Sequence, residues 1–162
     1  MDQKASAKVL VLDFGAQYGQ LIARRVRDLN VYSEIVPCDI SADEIREMNA
    51  SALILSGGPA SVYAEDAPSI DPAIFDLGLP VLGFCYGHQI TAVTLGGTVF
   101  HPEVGEYGPA TLHVEGGALF EGTPADQTVW MSHFDAVRDV PEGFTVVAST
   151  DVCPVAAMEN AE

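Results

Sequence analysis

Four short strand-like runs, separated by segments of helical or loop character, constrain the fold of this chain most strongly. They are Lys8–Asp13, Val31–Val36, Ala52–Leu55 and Val81–Phe84. Three of the four are almost continuously apolar, as is typical of a strand buried on both faces of a sheet. Helical spacing follows the first run, from Tyr18 to Leu29. Strands that alternate with helices predict an α/β fold, with a mostly parallel open sheet and helices on both of its faces.

Local signals locate the helices more closely. In the first helix, the apolar side is predicted to carry Leu21, Ile22, Val26 and Leu29. Ser41, with Glu44 three residues later, forms a capping box for a short helix to Met48. A second short helix is expected after Pro72, and a further helix over Tyr86–Leu95 ends at Gly96-Gly97.

The pattern changes after Gly97. Short β-like runs are separated by turns that contain glycine or proline, and these runs are Thr111–Val114, Thr128–Met131 and Thr145–Ala148. Val155–Met158 resembles the start of one more strand. We therefore predict an antiparallel extension of the sheet, with a tail over residues 1–7 and one domain over residues 8–162.

Composition excludes several classes of function. The 162 residues carry a net charge of -16, with only 7 Lys and Arg. Such a surface repels phosphate backbones and anionic lipid, so we expect no nucleic-acid partner and no membrane partner. The apolar run near the N-terminus is too short for a signal or membrane segment. The three cysteines, Cys38, Cys85 and Cys153, lack metal-motif spacing. We therefore predict a cytoplasmic location, no disulfide framework and no metal.

The most informative segment joins the fourth strand to the helix behind it. It reads Gly83-Phe84-Cys85-Tyr86-Gly87, which is the cysteine form of a nucleophile elbow. The glycines allow a sharp turn, and the helix N-terminus provides N–H groups and partial positive charge beside the thiol. A small buried cysteine at a strand end is the ordinary alternative. The combination of strand, both glycines and helix favours Cys85 as a nucleophile.

Several motifs in order resemble those of the class I glutamine amidotransferases. Cys85-Tyr-Gly-His-Gln89 is similar to their nucleophile motif, and Ser56–Pro59 is similar to their oxyanion-strand motif. Trp130–His133 resembles the stretch that holds glutamine in that family. Each motif alone is weak, but the resemblance runs along nearly the whole chain. It implies the flavodoxin-like fold of that family.

Further motifs resemble the branch of that family formed by the GMP synthetases. They are Asp13–Gln20, Glu106–Gly108 and Val129–His133. The resemblance implies that the domain releases ammonia from glutamine and needs no cofactor. It also implies a partner, an ATP-pyrophosphatase domain that aminates XMP to GMP with ATP and Mg²⁺. A homodimer formed through an unpaired sheet edge is a further prediction.

The resemblance also implies roles for individual residues. Cys85 would attack the side-chain amide of glutamine and form a glutamyl thioester. The backbone N–H groups of Gly58 and Tyr86 would stabilise the oxyanion. The residues that would hold the glutamine substrate are Gly57, Gln89, Ser132, His133 and Phe134.

The chain departs from the family pattern in three places. The His-Pro-Glu motif that supplies the base and its carboxylate would lie beyond Glu162, so we predict a domain that is incomplete at its C-terminal end and inactive alone. His101-Pro-Glu103 could substitute, although such residues in a loop are usually just solvated. Phe134 stands where relatives usually have glycine, and Gly105 where they usually have arginine.

Two alternatives remain at this stage. One is another class I amidotransferase, such as those serving anthranilate, CTP or carbamoyl phosphate synthesis, or a γ-glutamyl hydrolase. The other is a non-catalytic binding or regulatory domain on the same scaffold, which the missing base and Phe134 favour and the intact elbow opposes.

Overall fold

The computed structural model describes residues 7–161 of the chain. Of the predicted tail over residues 1–7, all but Ala7 lies outside the described residues. The chain divides into two compact units, the first running to Ile90 and the second from Thr91 onwards, and each is described by itself. Among the described residues, no helix combines the length and the apolar character that crossing a membrane would require.

The first unit is built on a parallel sheet. Its strands are β1 (Lys8–Asp13), β2 (Tyr32–Pro37), β3 (Ala52–Leu55) and β4 (Val81–Gly83), in the order β2-β1-β3-β4. All three strand pairs are parallel. β1 and β3 have the predicted bounds, whereas β2, predicted over Val31–Val36, lies one residue later and includes Pro37. β2 is an edge strand in this sheet, where the missing N–H of a proline is tolerated.

The helices lie where the sequence predicted them. They are α1 (Gly19–Asp28), α2 (Ala42–Glu47), α3 (Tyr86–Thr94) and a 3-10 helix over Pro72–Leu77. The predicted capping box is present, because Ser41 Oγ accepts from the Glu44 N–H and Glu44 Oε2 accepts from the Ser41 N–H.

The apolar side predicted for α1 is wrong in part. Gly19 and Ala23 are buried, whereas the side chains of Leu21 and Leu29 are exposed. The small residues bring the helix backbone close to the sheet, and Ser33 of β2 donates a hydrogen bond to the carbonyl of Ala23 at 2.7 Å. Backbone contact, rather than leucine burial, therefore selects the inner face of this helix.

The second unit is antiparallel. Its larger sheet contains β6 (Glu106–Val114), β7 (Asp126–His133), β9 (Thr145–Ser149) and β10 (Ala157–Glu159), in the order β10-β9-β6-β7. A separate pair joins β5 (Thr98–Phe100) to β8 (Ala136–Asp139), and neither of these short strands was predicted. The α/β class, with a parallel sheet, helices and antiparallel strands, is confirmed.

A close backbone approach fixes the junction between β4 and α3. A Cβ atom added to Gly87 would lie 2.3 Å from the carbonyl oxygen of Leu55 in β3. One added to Gly83 would lie 2.6 Å from the carbonyl oxygen of Gly87. The Gly87 N–H also donates to the carbonyl of Ser56 at 3.0 Å. The start of α3 can therefore lie against the end of β3 only if position 87 has no side chain.

We expect Gly87→Ala to lower the free energy of unfolding by about 2 kcal/mol, because the new Cβ must displace backbone. Alanine's higher helix propensity, roughly 1 kcal/mol, offsets part of the steric cost. Gly19→Ala in α1 is the matched control, since its Cβ would meet no atom nearer than 3.5 Å. Urea unfolding measures both variants, and equal stability would contradict the requirement for glycine at position 87.

A buried thiol lies in the second unit. Cys153 is 4% exposed, and its N–H donates to Thr150 Oγ1 at 2.9 Å. Burial raises the pKa of the Cys153 thiol from an ordinary 9.0 to about 11, and the Glu106 carboxylate adds to the rise. The folded thiol therefore keeps its proton to a higher pH than the unfolded thiol does.

This difference predicts a loss of stability at alkaline pH. The contribution of the protonated Cys153 thiol to the free energy of unfolding is complete below pH 9.0 and is lost as the pH rises to about 11. The loss amounts to about 2–3 kcal/mol. We expect Cys153→Ala to lack this decline in the free energy of unfolding, and Cys85→Ala, at an exposed cysteine, to keep it. Urea unfolding under reducing conditions tests this, and a parallel decline in both variants would contradict it.

Candidate active site

Cys85 occupies a sharp turn between β4 and α3. Its φ is +49°, and the other described residues with positive φ that are not glycine are Asn30 and Asn49. Asparagine tolerates this left-handed conformation, whereas a cysteine there costs roughly 1–2 kcal/mol. Cys85 is exposed, and α3 begins at the next residue. The turn predicted from the two glycines is therefore present, and it places the thiol at a helix N-terminus, where partial positive charge favours an anion.

The Ser56–Pro59 segment lies beside this turn. A Cβ atom on Gly57 would lie 3.5 Å from the Cβ of Cys85, and one on Gly58 would lie 2.5 Å from the carbonyl oxygen of Phe14. Gly58 therefore permits a close approach between this segment and the residue that follows β1. The structure brings Gly57 and Cys85 together.

Ser56 holds this segment in place, a role that the sequence analysis missed. Its side chain is fully buried. Its Oγ accepts from the Phe14 N–H at 3.0 Å and donates to the Gly57 carbonyl at 3.0 Å. The signal in the sequence was a serine that directly follows the apolar run Ala52–Leu55, because a hydroxyl at the end of a buried strand needs hydrogen-bond partners.

Tyr86 anchors the other side of the turn. Its ring is fully buried, with its centroid 5.2 Å from that of Phe14. Its hydroxyl donates to the carbonyl of Pro68 at 2.6 Å. Tyr86 is also the first residue of α3, so its backbone N–H is one of those that a helix leaves without an intrahelical acceptor. A rigidly held N–H next to Cys85 is suited to stabilising an oxyanion.

Gln89 lies one helical turn beyond Cys85. Its N–H donates to the Cys85 carbonyl at 3.0 Å, and the residue is 6% exposed. This is the first hydrogen bond of α3, and it ties Gln89 to the backbone of Cys85. Gly57, Gly58, Tyr86 and Gln89 thus gather around Cys85 within the first unit.

The remaining predicted substrate residues belong to the second unit. Ser132 and His133 end β7, and Phe134 follows them. Both ring nitrogens of His133 have acceptors nearby: Nε2 lies 3.0 Å from Glu106 Oε2 and Nδ1 lies 3.0 Å from the Asp135 carbonyl oxygen. Glu106 Oε1 in turn accepts from the Thr150 hydroxyl at 2.6 Å. The His133 side chain is therefore engaged inside its own unit, while Ser132 is exposed.

His101 also has a carboxylate partner, but not the one that the sequence suggested. Its Nδ1 lies 2.7 Å from Asp135 Oδ1, and its ring stacks on Phe134 with centroids 4.0 Å apart. Glu103 is exposed in the same loop. A histidine with one nitrogen on a carboxylate is the arrangement of an oriented general base. The two residues are separated by 34 positions, so no local motif could have indicated this pair.

Gly105 and Phe134, the two residues that depart from the family pattern, lie against each other. A Cβ atom on Gly105 would lie 2.9 Å from Cδ2 of Phe134 and 2.8 Å from Cε2 of Tyr107. The Phe134 ring therefore fills the space in which a side chain at position 105 would begin.

Comparison with known proteins agrees with this geometry. A family model described as "Glutamine amidotransferase class-I" matches residues 10–162. The chain is 62% identical over 156 residues to a glutamine-hydrolysing GMP synthase of Streptomyces avermitilis, and 59% identical over 154 residues to that of Corynebacterium glutamicum strain R. Each match covers 95% of this chain. The chain spans about 30% of the length of these curated relatives.

Solved structures show the same fold. A Thermoplasma acidophilum protein, provisionally described as one of the subunits of a GMP synthase, superposes with a TM-score of 0.82 at 28% identity. That match covers 98% of this chain and 80% of the other. A glutamine amidotransferase of Thermotoga maritima gives a TM-score of 0.75 at 20% identity, covering 96% and 72%, and supports the fold alone. The family model and the fold lead to one conclusion: this chain belongs to the class I glutamine amidotransferase family.

Proposed function

We propose that this chain is the glutamine-hydrolysing domain of a GMP synthase, with Cys85 as its nucleophile. The observation that carries the proposal is the exposed Cys85 at φ +49°, between β4 and the first residue of α3. Identity of 59–62% to proteins described as glutamine-hydrolysing GMP synthases supports the substrate and the branch.

The proposed reaction proceeds through a thioester. The Cys85 sulfur attacks the side-chain amide carbon of glutamine, and the carbonyl oxygen becomes an oxyanion. Collapse of this intermediate breaks the C–N bond, and the thiol proton leaves with the amine as ammonia. Water then attacks the thioester, releasing glutamate and restoring the thiol. Overall, glutamine and water give glutamate and ammonia.

The backbone around Cys85 supports the oxyanion step. The N–H of Tyr86 is held by a buried ring and a bonded hydroxyl, and Gly58 lies in the segment that packs beside Cys85. Preorganised donors of this kind contribute about 2.7–4 kcal/mol each to transition-state stabilisation. We assign the oxyanion site to the N–H groups of Gly58 and Tyr86.

Glutamine binding is assigned to Gly57, Gln89, Ser132, His133 and Phe134, as the family resemblance implies. The contacts of His133 refine this proposal. Because both of its ring nitrogens lie beside oxygen atoms of Glu106 and Asp135, its contribution to glutamine binding would come from its backbone. The imidazole would serve to hold that backbone in position.

We propose the synthetase activity only for a longer protein that contains this domain. Since the curated relatives are about three times as long as the matched region, we propose a separate ATP-pyrophosphatase domain as the partner. That domain would use ATP and Mg²⁺ to aminate XMP with the ammonia released here. The absence of a cofactor from the amidotransferase domain, a homodimer and a cytoplasmic location stay predictions.

One observation favours a second candidate, a non-catalytic domain on the same scaffold. Phe134 stands in the stretch assigned to glutamine binding, stacked on His101 and packed beside Gly105. An aromatic ring at this point presents a different surface to glutamine than the glycine that is usual in the family. Reaction of Cys85 with a glutamine analogue separates the two candidates.

We expect a glutamine analogue that carries a diazoketone in place of the amide to alkylate Cys85. Burial and the Asp39 carboxylate raise the pKa of Cys38, so that thiol should react poorly. Cys85→Ala should abolish labelling and Cys38→Ala should leave it unchanged, as measured by intact mass and peptide mapping. Excess glutamine should protect Cys85. Labelling without glutamine protection would favour the non-catalytic alternative.

We expect the 162-residue chain to release glutamate from glutamine no faster than its Cys85→Ala variant, because the family's downstream His-Pro-Glu motif is not among these residues. Turnover that depends on Cys85 would contradict this and would make His101 the candidate base. In that case His101→Ala should lower kcat by about 100-fold or more. Glu103→Ala, at an exposed position in the same loop, is the matched control and should have little effect.

A further inference from the structure

Three side chains of the kinds that bind transition metals converge in the second unit. They are Glu106 at the start of β6, His133 at the end of β7 and Cys153 between β9 and β10. A carboxylate oxygen, a ring nitrogen and the sulfur all lie within 4.8 Å of one another. We call these residues the Glu-His-Cys cluster. Its members come from three separate parts of the sequence, so no spacing motif indicated the cluster.

The distances in the cluster are close to those of a metal site. Zinc binds oxygen and nitrogen at about 2.0–2.2 Å and sulfur at about 2.3 Å, so tetrahedral ligand atoms lie roughly 3.3–3.6 Å apart. Glu106 Oε2 and His133 Nε2 are 3.0 Å apart, and the sulfur is within 4.8 Å of both. Side-chain movements of about an ångström would be enough for all three atoms to reach one cation.

The surroundings of the cluster resemble the outer shell of a metal site. The Nδ1–H of His133 can donate to the Asp135 carbonyl oxygen, 3.0 Å away, which leaves Nε2 to face the cluster. Thr150 connects the other two members, since its hydroxyl donates to Glu106 Oε1 and accepts from the Cys153 N–H. Partners of this kind orient ligands and are typical of established metal centres.

One member of the cluster, Glu106, borders a cleft. A cleft of about 430 Å³ is lined by residues that include Gly105, Glu106, Thr150 and Val152. Glu106 is therefore in the cleft wall, and the loop that carries Cys153 forms another part of it. The fourth ligand of such a site would come from water.

We propose that Glu106, His133 and Cys153 form a binding site for a thiophilic divalent cation such as Zn²⁺. One carboxylate, one imidazole and one thiolate are a donor set that suits zinc and related ions, and a thiolate is a poor ligand for Mg²⁺. The bound ion would tie β6, β7 and the loop before β10 together. The site does not include Cys85, but through His133 it shares one residue with the proposed glutamine site.

Binding requires a change of protonation. A thiol loses its proton when its sulfur coordinates a cation, so the Cys153 proton passes to the buffer. The ion also replaces the hydrogen bond between His133 and Glu106.

Cobalt titration of the chelator-treated chain tests the proposal. We expect one equivalent of Co²⁺ to give a sulfur-to-cobalt charge-transfer band in the near ultraviolet, and Zn²⁺ to displace it. Cys153→Ser should remove the band. Glu106→Gln, which preserves the size of the side chain, should weaken affinity by about tenfold or more. Far-ultraviolet circular dichroism checks that each variant is folded.

The controls use the other thiols and a surface histidine. A Cys38→Ser, Cys85→Ser double variant should keep the band. The His113→Ala variant should also keep the band, because it removes an exposed imidazole that pairs with Asp126 and is not part of the cluster. Zn²⁺ should raise the Tm of the parent chain and leave that of Cys153→Ser unchanged. The proposal is overturned if the parent chain shows no stoichiometric band, or if the band persists in Cys153→Ser.

Discussion

The approach of the start of α3 to the end of β3 is the constraint on which the first unit depends. Gly87 lies against the carbonyl of Leu55 so closely that no Cβ atom fits between them. The chain can make this contact only by turning sharply after β4, and Cys85 takes up the strain of that turn in its left-handed backbone. Packing that excludes a side chain at one position therefore exposes a thiol two residues earlier.

The surroundings of Cys85 are rigid for reasons that lie outside the turn itself. Ser56 is fully buried, and its hydroxyl joins Phe14 to Gly57, while Tyr86 is held by the Phe14 ring and the Pro68 carbonyl. Phe14 thus connects both sides of the turn. Strain at a single residue persists only where its neighbours over-determine it, and these contacts are of that kind. Contacts within the first unit therefore hold the backbone on both sides of Cys85 in place.

Local sequence signals were enough for the elements of the first unit and for the turn at Cys85. Buried parallel strands, the capping box at Ser41 and glycines around the cysteine each depend on neighbouring residues. The short strands β5 and β8 were missed because each is stabilised by pairing with the other, far along the chain. The pairing of His101 with Asp135 and the convergence of Glu106, His133 and Cys153 are also non-local. The buried side of α1 was predicted wrongly in part, since leucine spacing does not reveal where backbones touch.

The contact between Gly105 and Phe134 has a consequence for how this chain can change by mutation. With phenylalanine at position 134, any residue larger than glycine at position 105 would begin 2.9 Å from the aromatic ring. It would also begin 2.8 Å from Cε2 of Tyr107 and 3.0 Å from the carbonyl oxygen of His133, so a smaller residue at position 134 removes only one of three close contacts. Substitutions at positions 105 and 134 should therefore be energetically coupled, and the backbone at His133 would still have to shift before a larger residue fits at position 105.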